Sequence, residues 1–475
     1  MNANKRPRVQ PLAWRDRAAA SFARTAGYWS RRRGHGGSSL PGLLAERVSP
    51  GISGRLAERL DSVTVVSGTN GKTTTTYLLS HILGPTGRAV LTNRSGANLS
   101  QSISTTMLDV LARDTAHQPK SAVFECDEFA LTGLLAKLRP KVMIMTNLFR
   151  DQLDRYAEID EIERRWAQAL AALPETVVVA PADDPRLAWL ATHAPGGCVL
   201  YGVRAMASGD DDIGLTHDSE DCPRCGNALD YDWHTIGHQG SYRCPACGLS
   251  RPEPWLEIEI VESHGFDGQT VRFTQRGAAD ANELSLALPG ISNAYNVAAA
   301  VCAAHVLGVD PVDSLQSLAG ATNAWGRYET VTIEGRRLIL TLGKNPASIA
   351  ELLRITAASD IDGVLFVMND DYQDGRDVSW YWDVNPTIVV RDTKTAISGA
   401  RALDLALRFK YELPERTQTD SLSLPMTFDD PMSALRWLLD TTSAGATVVA
   451  IATYTGLLDL RKSLVSRRVL ERMPV

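Results

Sequence analysis

A glycine-bounded loop between an apolar segment and a helix-compatible segment is the feature that most constrains this chain. Residues 63–66 predict a buried strand, residues 68–71 carry a glycine at each end, and Lys72 follows directly. A strand that ends in such a loop directs the free N–H groups of the next helix toward phosphate. We predict that this loop binds the phosphates of ATP, although an ordinary strand–turn–helix junction is the alternative. The candidate ATP contacts here are Gly68, Thr69, Asn70, Gly71, Lys72, Thr73 and Thr74.

Two of these residues have chemistry that suits a metal–nucleotide complex. The Lys72 ammonium group would neutralise the β- and γ-phosphates, and the Thr73 hydroxyl would hold Mg²⁺. A second predicted strand, residues 122–124, ends in carboxylates, which are ligands that Mg²⁺ prefers. Glu125 is the first choice for this ligand and Glu128 the second. A solvated strand end is the alternative.

Length and composition are those of a protein with several folded units. The 475 residues suffice for two or three domains, and a net charge of -6 gives no general reason to expect nucleic-acid binding. The sequence contains no apolar run long enough for a membrane span, and the N-terminus lacks the apolar core of a signal peptide. We therefore predict a cytoplasmic protein without a nucleic-acid partner.

The N-terminal region is locally basic. Nine lysines and arginines in the first 33 residues stand against one acidic residue, Asp16, and residues 18–26 predict a short helix. The favoured interpretation is a solvated, partly ordered tail. The alternative is a weak contact with anionic lipid headgroups at the inner face of a membrane, supported by nearby aromatic residues. These are Trp14, Phe22, Tyr28 and Trp29.

Four of the seven cysteines form one unit of two Cys-x-x-Cys pairs separated by eighteen residues. This spacing predicts four thiolates around one zinc ion. Disulfides are disfavoured in a cytoplasmic protein, and an iron–sulfur cluster is a weaker alternative. Because four sulfur ligands leave no open position, we predict a structural zinc ribbon inserted at about residues 205–255. The predicted ligands are Cys222, Cys225, Cys244 and Cys247.

The loop and a downstream segment resemble the Mur ligase and folylpolyglutamate synthetase superfamily. The loop lacks the first glycine of an ordinary P-loop, which would stand at Val66. Residues 146–154 resemble the Mur segment Thr-Asn-hydrophobic-x-x-Asp-His-Leu-Asp, with Gln152 in place of a histidine that helps to hold a second magnesium ion. Asn147 and Asp151 in this segment would face the same crevice as the loop.

The same resemblance extends toward the C-terminus. It implies that Asn293 and Asn296 contact adenine, although helix capping would also explain them. It implies a γ-phosphate contact for Arg327, with a surface ion pair to Glu329 as the alternative. Lys344-Asn345 stands where Mur ligases have His-Asn, which makes Asn345 a candidate cleft residue. No lysine lies between Lys141 and Lys344, so the carbamylated lysine that bridges two metal ions in typical Mur ligases is absent.

The cysteine pairs, Gln152, Lys344 and residues 374–383 together resemble the MurT family. This resemblance implies a partner, a GatD-like glutaminase, and a membrane-borne substrate, lipid II. The complex would amidate the D-glutamate carboxylate of the lipid II stem peptide to D-isoglutamine in peptidoglycan synthesis. The carboxylate would first become an acyl phosphate, and ammonia would then displace the phosphate. None of the remaining cysteines lies in the sharp turn expected of a glutaminase nucleophile, which agrees with a separate glutaminase chain.

The resemblance also implies that an aspartate of this chain completes the partner's Cys–His pair. It would orient the histidine and stabilise its charged form. Asp377 and Asp383 are the candidates, with a slight preference for Asp377. Asp371 and Asp374 stay open, and a loop of solvated aspartates is the plain alternative.

Alternating strand and helix patterns predict an α/β protein with mostly parallel sheets. We expect an N-terminal region over residues 1–60, a Mur-ligase-type ATP-binding domain with the ribbon over 61–323, and a Rossmann-like C-terminal domain over 324–475. The substrate would lie between the two large domains. Two other functions stay open: a self-sufficient amino-acid ligase of the Mur or folylpolyglutamate type, and a P-loop ATPase that uses its ribbon as an interaction module.

Overall fold

The structure is a computed structural model that describes residues 12–32, 39–86, 89–93, 98–112, 118–150, 159–204, 221–278, 281–319, 321, 328–389, 393–412 and 424–470. The described residues form two mostly parallel sheets with helices on their faces, which confirms the predicted α/β class. The nine-stranded sheet falls within residues 61–323 and the six-stranded sheet within 324–475. The domain boundaries themselves stay a prediction.

The elements of the N-terminal and middle regions alternate between helix and strand. They begin with α1 (Trp14–Arg32), α2 (Leu40–Val48), α3 (Ile52–Ala57), β1 (Ser62–Ser67), α4 (Lys72–Leu83), β2 (Val90–Thr92), α5 (Ser100–Leu111), β3 (Ser121–Glu125), α6 (Leu131–Leu138) and β4 (Val142–Met145). They continue with α7 (Ile159–Ala171), β5 (Val177–Pro181), α8 (Pro185–Thr192), β6 (Cys198–Arg204), β7 (Asp230–His234), β8 (Gly240–Arg243), β9 (Leu256–Ser263), β10 (Gln269–Gln275), β11 (Asn282–Leu286), α9 (Ile291–Val306) and α10 (Pro311–Leu318).

The C-terminal region repeats this alternation in a second sheet. Its elements are β12 (Glu329–Ile333), β13 (Arg336–Leu342), α11 (Pro346–Ala357), β14 (Gly363–Val367), β15 (Lys394–Ser398), α12 (Ala402–Glu412), β16 (Met426–Phe428), α13 (Pro431–Thr441), β17 (Thr447–Ala452) and α14 (Tyr454–Ser466). Short 3₁₀ helices lie at Gly84–Thr86, Gly265–Asp267, Ser379–Asp383 and Pro386–Val389.

The nine-stranded sheet has the order β11-β10-β9-β6-β5-β4-β1-β3-β2, and its strands from β9 to β2 are parallel neighbours. Strand β1 lies between β3 and β4, with Val66 opposite both Glu125 and Ile144. Its valines are buried because helices cover both faces of the sheet. The carboxyl ends of β1, β3 and β4 therefore meet at one edge, where ligands of such sheets bind.

The six-stranded sheet has the order β12-β13-β17-β14-β15-β16, and only β12 runs antiparallel to its neighbour. Its core is built from the inward-facing side chains of β13, β14 and β17 and from the apolar faces of α11, α13 and α14. The carboxyl end of β13 leads into α11 at Asn345, beside the glycine loop of the first sheet. Two strand ends from different sheets thus border one cleft.

Helix α1 is longer than predicted and is packed, so the expectation of a solvated tail is wrong for residues 14–32. Ala19, Ala20 and Ala23 are fully buried against the first domain. The Asp16 carboxylate accepts hydrogen bonds from the Arg55 guanidinium at 2.8 and 2.9 Å, and this pairing lowers the pKa of Asp16. Small buried residues let the helix lie close to its neighbours. Residues 1–11 and 33–38 lie outside the described part.

None of the described helices is both long enough and apolar enough to cross a membrane.

Candidate nucleotide and metal sites

The glycine loop adopts a conformation that requires both of its glycines. Gly68 has φ +135° and Gly71 has φ +85°, and L-residues with side chains rarely adopt such angles. A Cβ atom on Gly68 would lie 2.2 Å from the Thr146 Oγ1 atom, and one on Gly71 would lie 2.2 Å from the Asn296 Oδ1 atom. The loop therefore lies directly against the end of β4 and the start of α9.

Residues that follow β4 form hydrogen bonds to the glycine loop. The Asn147 Oδ1 atom accepts a 2.8 Å hydrogen bond from the Asn70 N–H group, and the Thr146 hydroxyl donates a 2.6 Å bond to the Asn70 carbonyl. The Thr69 hydroxyl donates to the Phe149 carbonyl at 3.1 Å. Asn147 thus lies in the predicted crevice as a loop-positioning residue, whereas Asp151 and Gln152 lie outside the described residues.

Lys72 begins α4 and is already paired. Its Nζ atom lies 2.7 Å from the Glu128 Oε1 atom, and both side chains are nearly buried. It also donates to the carbonyls of Gly68 and Thr69. This geometry places one ammonium group and one carboxylate beside the loop, so an incoming triphosphate would compete with Glu128 for Lys72. Glu128, the second choice for Mg²⁺, is therefore a partner of the loop lysine.

Glu125 has different surroundings from Glu128. Its side chain is 4% exposed, and its Oε2 atom has no hydrogen-bond partner within the part of the chain that the structure describes. The Asn93 amide bonds to the Glu125 backbone, donating to its carbonyl at 2.8 Å and accepting from its N–H group at 3.0 Å. A buried carboxylate oxygen without a donor is costly, and a cation would satisfy it. Thr73, an exposed residue at the start of α4, can add a hydroxyl oxygen, and oxygen donors of these two kinds suit Mg²⁺.

The C-terminal domain reaches the loop through the two residues after β13 and Gly343. The Lys344 Nζ atom donates to the Thr69 carbonyl at 3.1 Å, and the Asn70 and Asn345 amides pair reciprocally at 3.2 and 3.3 Å. The Asn345 side chain also caps α11 by accepting from the Ser348 N–H group at 3.0 Å. Lys344 therefore lies close to Lys72, since both bond to the Thr69 carbonyl. Arg327 lies outside the described residues.

A cleft opens where the loop, α9 and α11 meet. The predicted adenine contacts Asn293 and Asn296 line it, but their amides also form an internal chain. Asn293 donates to the Pro289 carbonyl at 2.7 Å, and Asn296 donates to the Asn293 Oδ1 atom at 3.2 Å. Their contact with adenine stays a prediction. The cleft is lined by Asn70, Gly71, Thr74, Asn147, Phe149, Ile236, Gln239, Ser292, Asn293, Tyr295, Asn296, Tyr328, Leu342, Lys344, Ala347, Ser348, Glu351 and Leu352.

The four predicted metal ligands converge. The sulfur atoms of Cys222, Cys225, Cys244 and Cys247 all lie within 4.8 Å of one another, and two of the separations are 3.5 and 3.6 Å. A tetrahedral zinc site with Zn–S bonds of about 2.3 Å places its sulfurs about 3.8 Å apart, whereas a disulfide needs about 2.05 Å. The geometry fits a metal and excludes disulfides in this structure.

Each cysteine pair lies in the same kind of turn. The Gly226 N–H group donates to the Cys222 carbonyl at 2.8 Å, and the Gly248 N–H group donates to the Cys244 carbonyl at 3.0 Å. Both glycines have φ of 70° or more, as these turns require. Hydrogen bonds from Asn227 lower the pKa of the Cys225 thiol to about 6, whereas burial raises the pKa of Cys222 to about 12.

The hairpin that carries these cysteines is not a surface appendage. The position of His234 and His238 between the two cysteine pairs predicts surface residues, and this prediction is wrong for His238, which is 1% exposed. The His238 Nε2 atom lies 3.2 Å from the Asp184 carboxylate, and its ring packs on Phe149 with centroids 5.1 Å apart. The cysteine spacing contains no signal for this, because it specifies the metal and not the surface on which the ribbon packs.

The candidate triad aspartates differ in their surroundings. Asp377 is partly exposed and accepts a 2.9 Å hydrogen bond from the Ser379 N–H group, and bonding to Ser379 lowers its pKa. The Asp383 carboxylate lies 3.7 Å from the Arg150 guanidinium. Asp374 is buried and is bonded to both the backbone and the hydroxyl of Thr455. Asp371 is exposed. Asp374 is thus engaged within the fold, whereas Asp377 and Asp383 are partly exposed, and the roles of all four aspartates stay predictions.

Comparisons with known proteins agree with this geometry. Residues 66–304 match the Mur ligase middle domain family, and residues 342–457 match the family described as MurT ligase C-terminal. A pseudomurein peptide ligase type C from Methanothermus fervidus has a similar structure, with a TM-score of 0.64, 21% identity, and coverage of 86% of this chain and 79% of that one. The fold and the site define an ATP-dependent, amide-forming ligase of the Mur ligase class.

Two relatives carry the assignment further. One from Staphylococcus aureus (strain COL) is 31% identical over 395 residues, which cover 82% of this chain and 87% of the relative. One from Streptococcus pneumoniae (strain ATCC BAA-255 / R6) is 30% identical over 443 residues, covering 92% and 94%. Both are named "Lipid II isoglutaminyl synthase (glutamine-hydrolyzing) subunit MurT". The chain belongs to the MurT family.

Proposed function

We propose that this chain is the synthetase subunit of a lipid II isoglutaminyl synthase. It uses ATP to convert the D-glutamate carboxylate of the lipid II stem peptide to the amide of D-isoglutamine, with ammonia supplied by a GatD-like glutaminase. The observation that carries this proposal is the triphosphate loop shared by two domains, in a chain that is 30–31% identical to MurT subunits over most of its length.

The chemistry has two displacement steps. A carboxylate oxygen of the stem peptide attacks the γ-phosphorus of ATP, the bond to the bridging oxygen breaks, and ADP leaves. Ammonia then attacks the carbonyl carbon of the acyl phosphate, inorganic phosphate leaves, and a proton is released. The protein contributes mainly position and charge in such reactions. When bound at Glu125 and Thr73, Mg²⁺ would supply additional charge neutralisation at the phosphates.

Lysines from both domains can stabilise the charge that develops in the first step. Lys72 comes from the first domain and Lys344 from the second, and both donate to the Thr69 carbonyl. Because Lys344 reaches the loop only when the domains are together, charge neutralisation of the phosphates is coupled to domain closure. Lys72 and Lys344 can neutralise phosphate charge without the carbamylated lysine of typical Mur ligases, which this sequence lacks.

The cysteines outside the metal cluster are unsuited to glutamine hydrolysis. Burial raises the pKa of Cys126, Cys198 and Cys302, and a glutaminase nucleophile needs the opposite shift. The ammonia must therefore come from the partner.

An apolar surface near the candidate aspartates suits the docking of that glutaminase. Trp382 is 50% exposed and lies beside Tyr411, which is 71% exposed. Leu403 and Leu407 are also exposed and lie on the same side of α12 as Tyr411.

Reconstitution tests the proposal directly. The full chain, combined with its glutaminase, lipid II, Mg²⁺, ATP and glutamine labelled with ¹⁵N in the side-chain amide, should yield labelled D-isoglutamine with release of ADP. Omission of the glutaminase should stop the reaction with glutamine, and free ammonia at high concentration should restore it. Amidation from glutamine by the isolated chain, or addition of an amino acid in place of ammonia, would contradict the proposal.

The same reconstituted complex tests whether an aspartate of this chain completes the Cys–His pair of the glutaminase. An Asp377→Asn substitution should lower glutamine hydrolysis by about 10⁴-fold, because the neutral amide no longer stabilises the histidine cation or fixes its tautomer. Amidation supported by free ammonia should be unchanged. Asp360→Asn, an exposed residue before β14, serves as the control. If Asp377→Asn and Asp383→Asn both hydrolyse glutamine normally, this chain contributes no triad aspartate.

Peripheral binding to a membrane fits a lipid-borne substrate. The outward face of α1 exposes Trp14 at 78% and Phe22, Tyr28 and Trp29 at 54% each, between arginines. Aromatic and basic residues on one helix face favour the interface of an anionic bilayer. The double variant Trp14→Ser, Trp29→Ser should sediment about tenfold less with phosphatidylglycerol vesicles, whereas Leu458→Ser should behave as wild type. Equal sedimentation of both variants would leave α1 without a membrane role.

A further inference from the structure

The tip of the zinc-ribbon hairpin, residues 235–239, forms part of the wall of the nucleotide cleft. Ile236 and Gln239 line the cleft together with the loop residues Asn70 and Gly71. The ribbon strands β7 and β8 lead directly into this tip. The metal cluster and the cleft therefore lie at opposite ends of one short hairpin.

The tip is held in place by a buried polar network. The Thr235 hydroxyl lies 2.7 Å from the Tyr295 hydroxyl, which donates a 2.6 Å hydrogen bond to the Asp183 carboxylate. Arg251 donates to the same carboxylate at 2.6 Å. Tyr295 lies in α9 between the two predicted adenine contacts, Asn293 and Asn296. The network therefore fixes the tip relative to the start of α9.

The C-terminal domain also contacts the tip. The Arg354 guanidinium in α11 donates to the Thr235 carbonyl at 3.4 Å. The tip thus lies where the two domains and the ribbon meet, and three parts of the chain contribute to one cleft.

Gln239 has a side-chain amide donor for which the described residues supply no acceptor. The residue is 1% exposed, and its backbone closes the hairpin through the Ile236 carbonyl at 3.0 Å and the Thr235 N–H group at 2.8 Å. Its side-chain Nε2 atom is buried and has no hydrogen-bond partner within the described residues. Buried polar groups are nearly always paired, so an unpaired amide that lines a cleft indicates a ligand that completes it.

We infer that Gln239 recognises the adenine base of ATP, and that the ribbon tip is the specificity element of the nucleotide site. The inference rests on the proposed use of ATP. The loop supplies N–H groups for phosphates, whereas the tip supplies an amide beside apolar Ile236 and Leu352, which suit the face of a base. A glutamine amide offers both a donor and an acceptor, and adenine presents the matching pair at its edge.

Calorimetric titration of the zinc-loaded full chain tests this role, with Mg²⁺ present and AMP-PNP, GMP-PNP and tripolyphosphate as probes. Gln239→Leu should weaken AMP-PNP binding about tenfold, as expected for the loss of one hydrogen bond, and should reduce the preference for AMP-PNP over GMP-PNP. Tripolyphosphate binding should be unchanged. Gln275→Leu, on β10 and outside the cleft lining, is the matched control.

A second variant distinguishes a loss of nucleotide binding from a folding defect. Gln239→Glu retains size and polarity but replaces the donor with a carboxylate, so it should also weaken AMP-PNP binding while zinc content and thermal midpoint stay at wild-type values. Unchanged AMP-PNP affinity in both variants would overturn the inference, as would an equal loss of tripolyphosphate binding. Wild type that binds AMP-PNP yet performs no amidation would instead contradict the proposed function and leave this role intact.

Discussion

Replacing Lys72 by methionine is expected to lower ATP-dependent amidation about a thousandfold. Methionine retains most of the apolar stem but removes the ammonium group beside the Gly68 and Thr69 carbonyls, where the triphosphate would bind. Charge on the transferring phosphoryl group is stabilised mainly by such fixed cations, and the loss of one has effects of this order. The measurement is the rate of labelled amide formation on lipid II by the complex.

The ion pair with Glu128 requires a separate control. Lys72→Met also leaves the nearly buried Glu128 carboxylate without its 2.7 Å partner, which could lower stability. A thermal midpoint measured for Lys72→Met and for Glu128→Gln separates this effect from the catalytic loss. Lys137→Met, at a 44%-exposed side chain on α6, should be fully active. Full amidation by folded Lys72→Met would show that phosphoryl transfer does not use this loop.

Replacing Cys244 by serine is expected to abolish zinc binding. Cys244 is 1% exposed and belongs to the four-sulfur cluster, so one lost thiolate leaves three ligands and a buried hydroxyl. Structural zinc supplies about 10–16 kcal/mol to isolated zinc-finger peptides, so we expect the ribbon to unfold locally and the thermal midpoint to fall by several degrees. Elemental analysis should give one zinc per wild-type chain and close to none in the variant.

The position of the ribbon tip in the cleft predicts that loss of the metal also affects nucleotide binding. Because Ile236 and Gln239 line the cleft, loss of the metal should also weaken binding of AMP-PNP, although the cluster itself touches no ligand. Cys198→Ser, a half-buried cysteine on β6 outside the cluster, should retain both zinc and nucleotide affinity. A Cys244→Ser variant with a full zinc equivalent, or wild type without any, would contradict a structural zinc site.

Local patterns in the sequence predicted the loop, the metal ligands and the class of fold, and the class of fold is confirmed. Val63–Val66 and Gly68–Gly71 are adjacent in the chain, so strand, turn and helix start are encoded within ten residues. The cysteine pairs are likewise short-range signals, and their four sulfurs meet as the spacing predicts. Glu128 is engaged with Lys72 and the Glu125 Oε2 atom has no partner among the described residues, but the choice of Glu125 as a Mg²⁺ ligand stays a prediction.

Other features depend on contacts between residues far apart in the sequence. The pairing of Asn70 with Asn345 spans 275 positions, and that of Thr235 with Tyr295 spans 60. No periodicity or spacing encodes which surfaces meet, so the burial of His238 and the packing of α1 were not predicted. Asp377, Asp383, Asn293 and Asn296 are positioned here, but their roles stay predictions.

By itself, the sequence predicted the chemical elements: a phosphate loop with its lysine, four thiolate ligands for a metal ion, and no cysteine suited to glutamine hydrolysis. These depend on residue type and on spacing over a few positions, and backbone geometry translates them directly into sites. Only the tertiary structure decided that Lys344 joins Lys72 at one carbonyl and that Gln239 brings the ribbon into the cleft. The physical reason is that such contacts arise from the packing of whole domains, which no short stretch of the chain specifies.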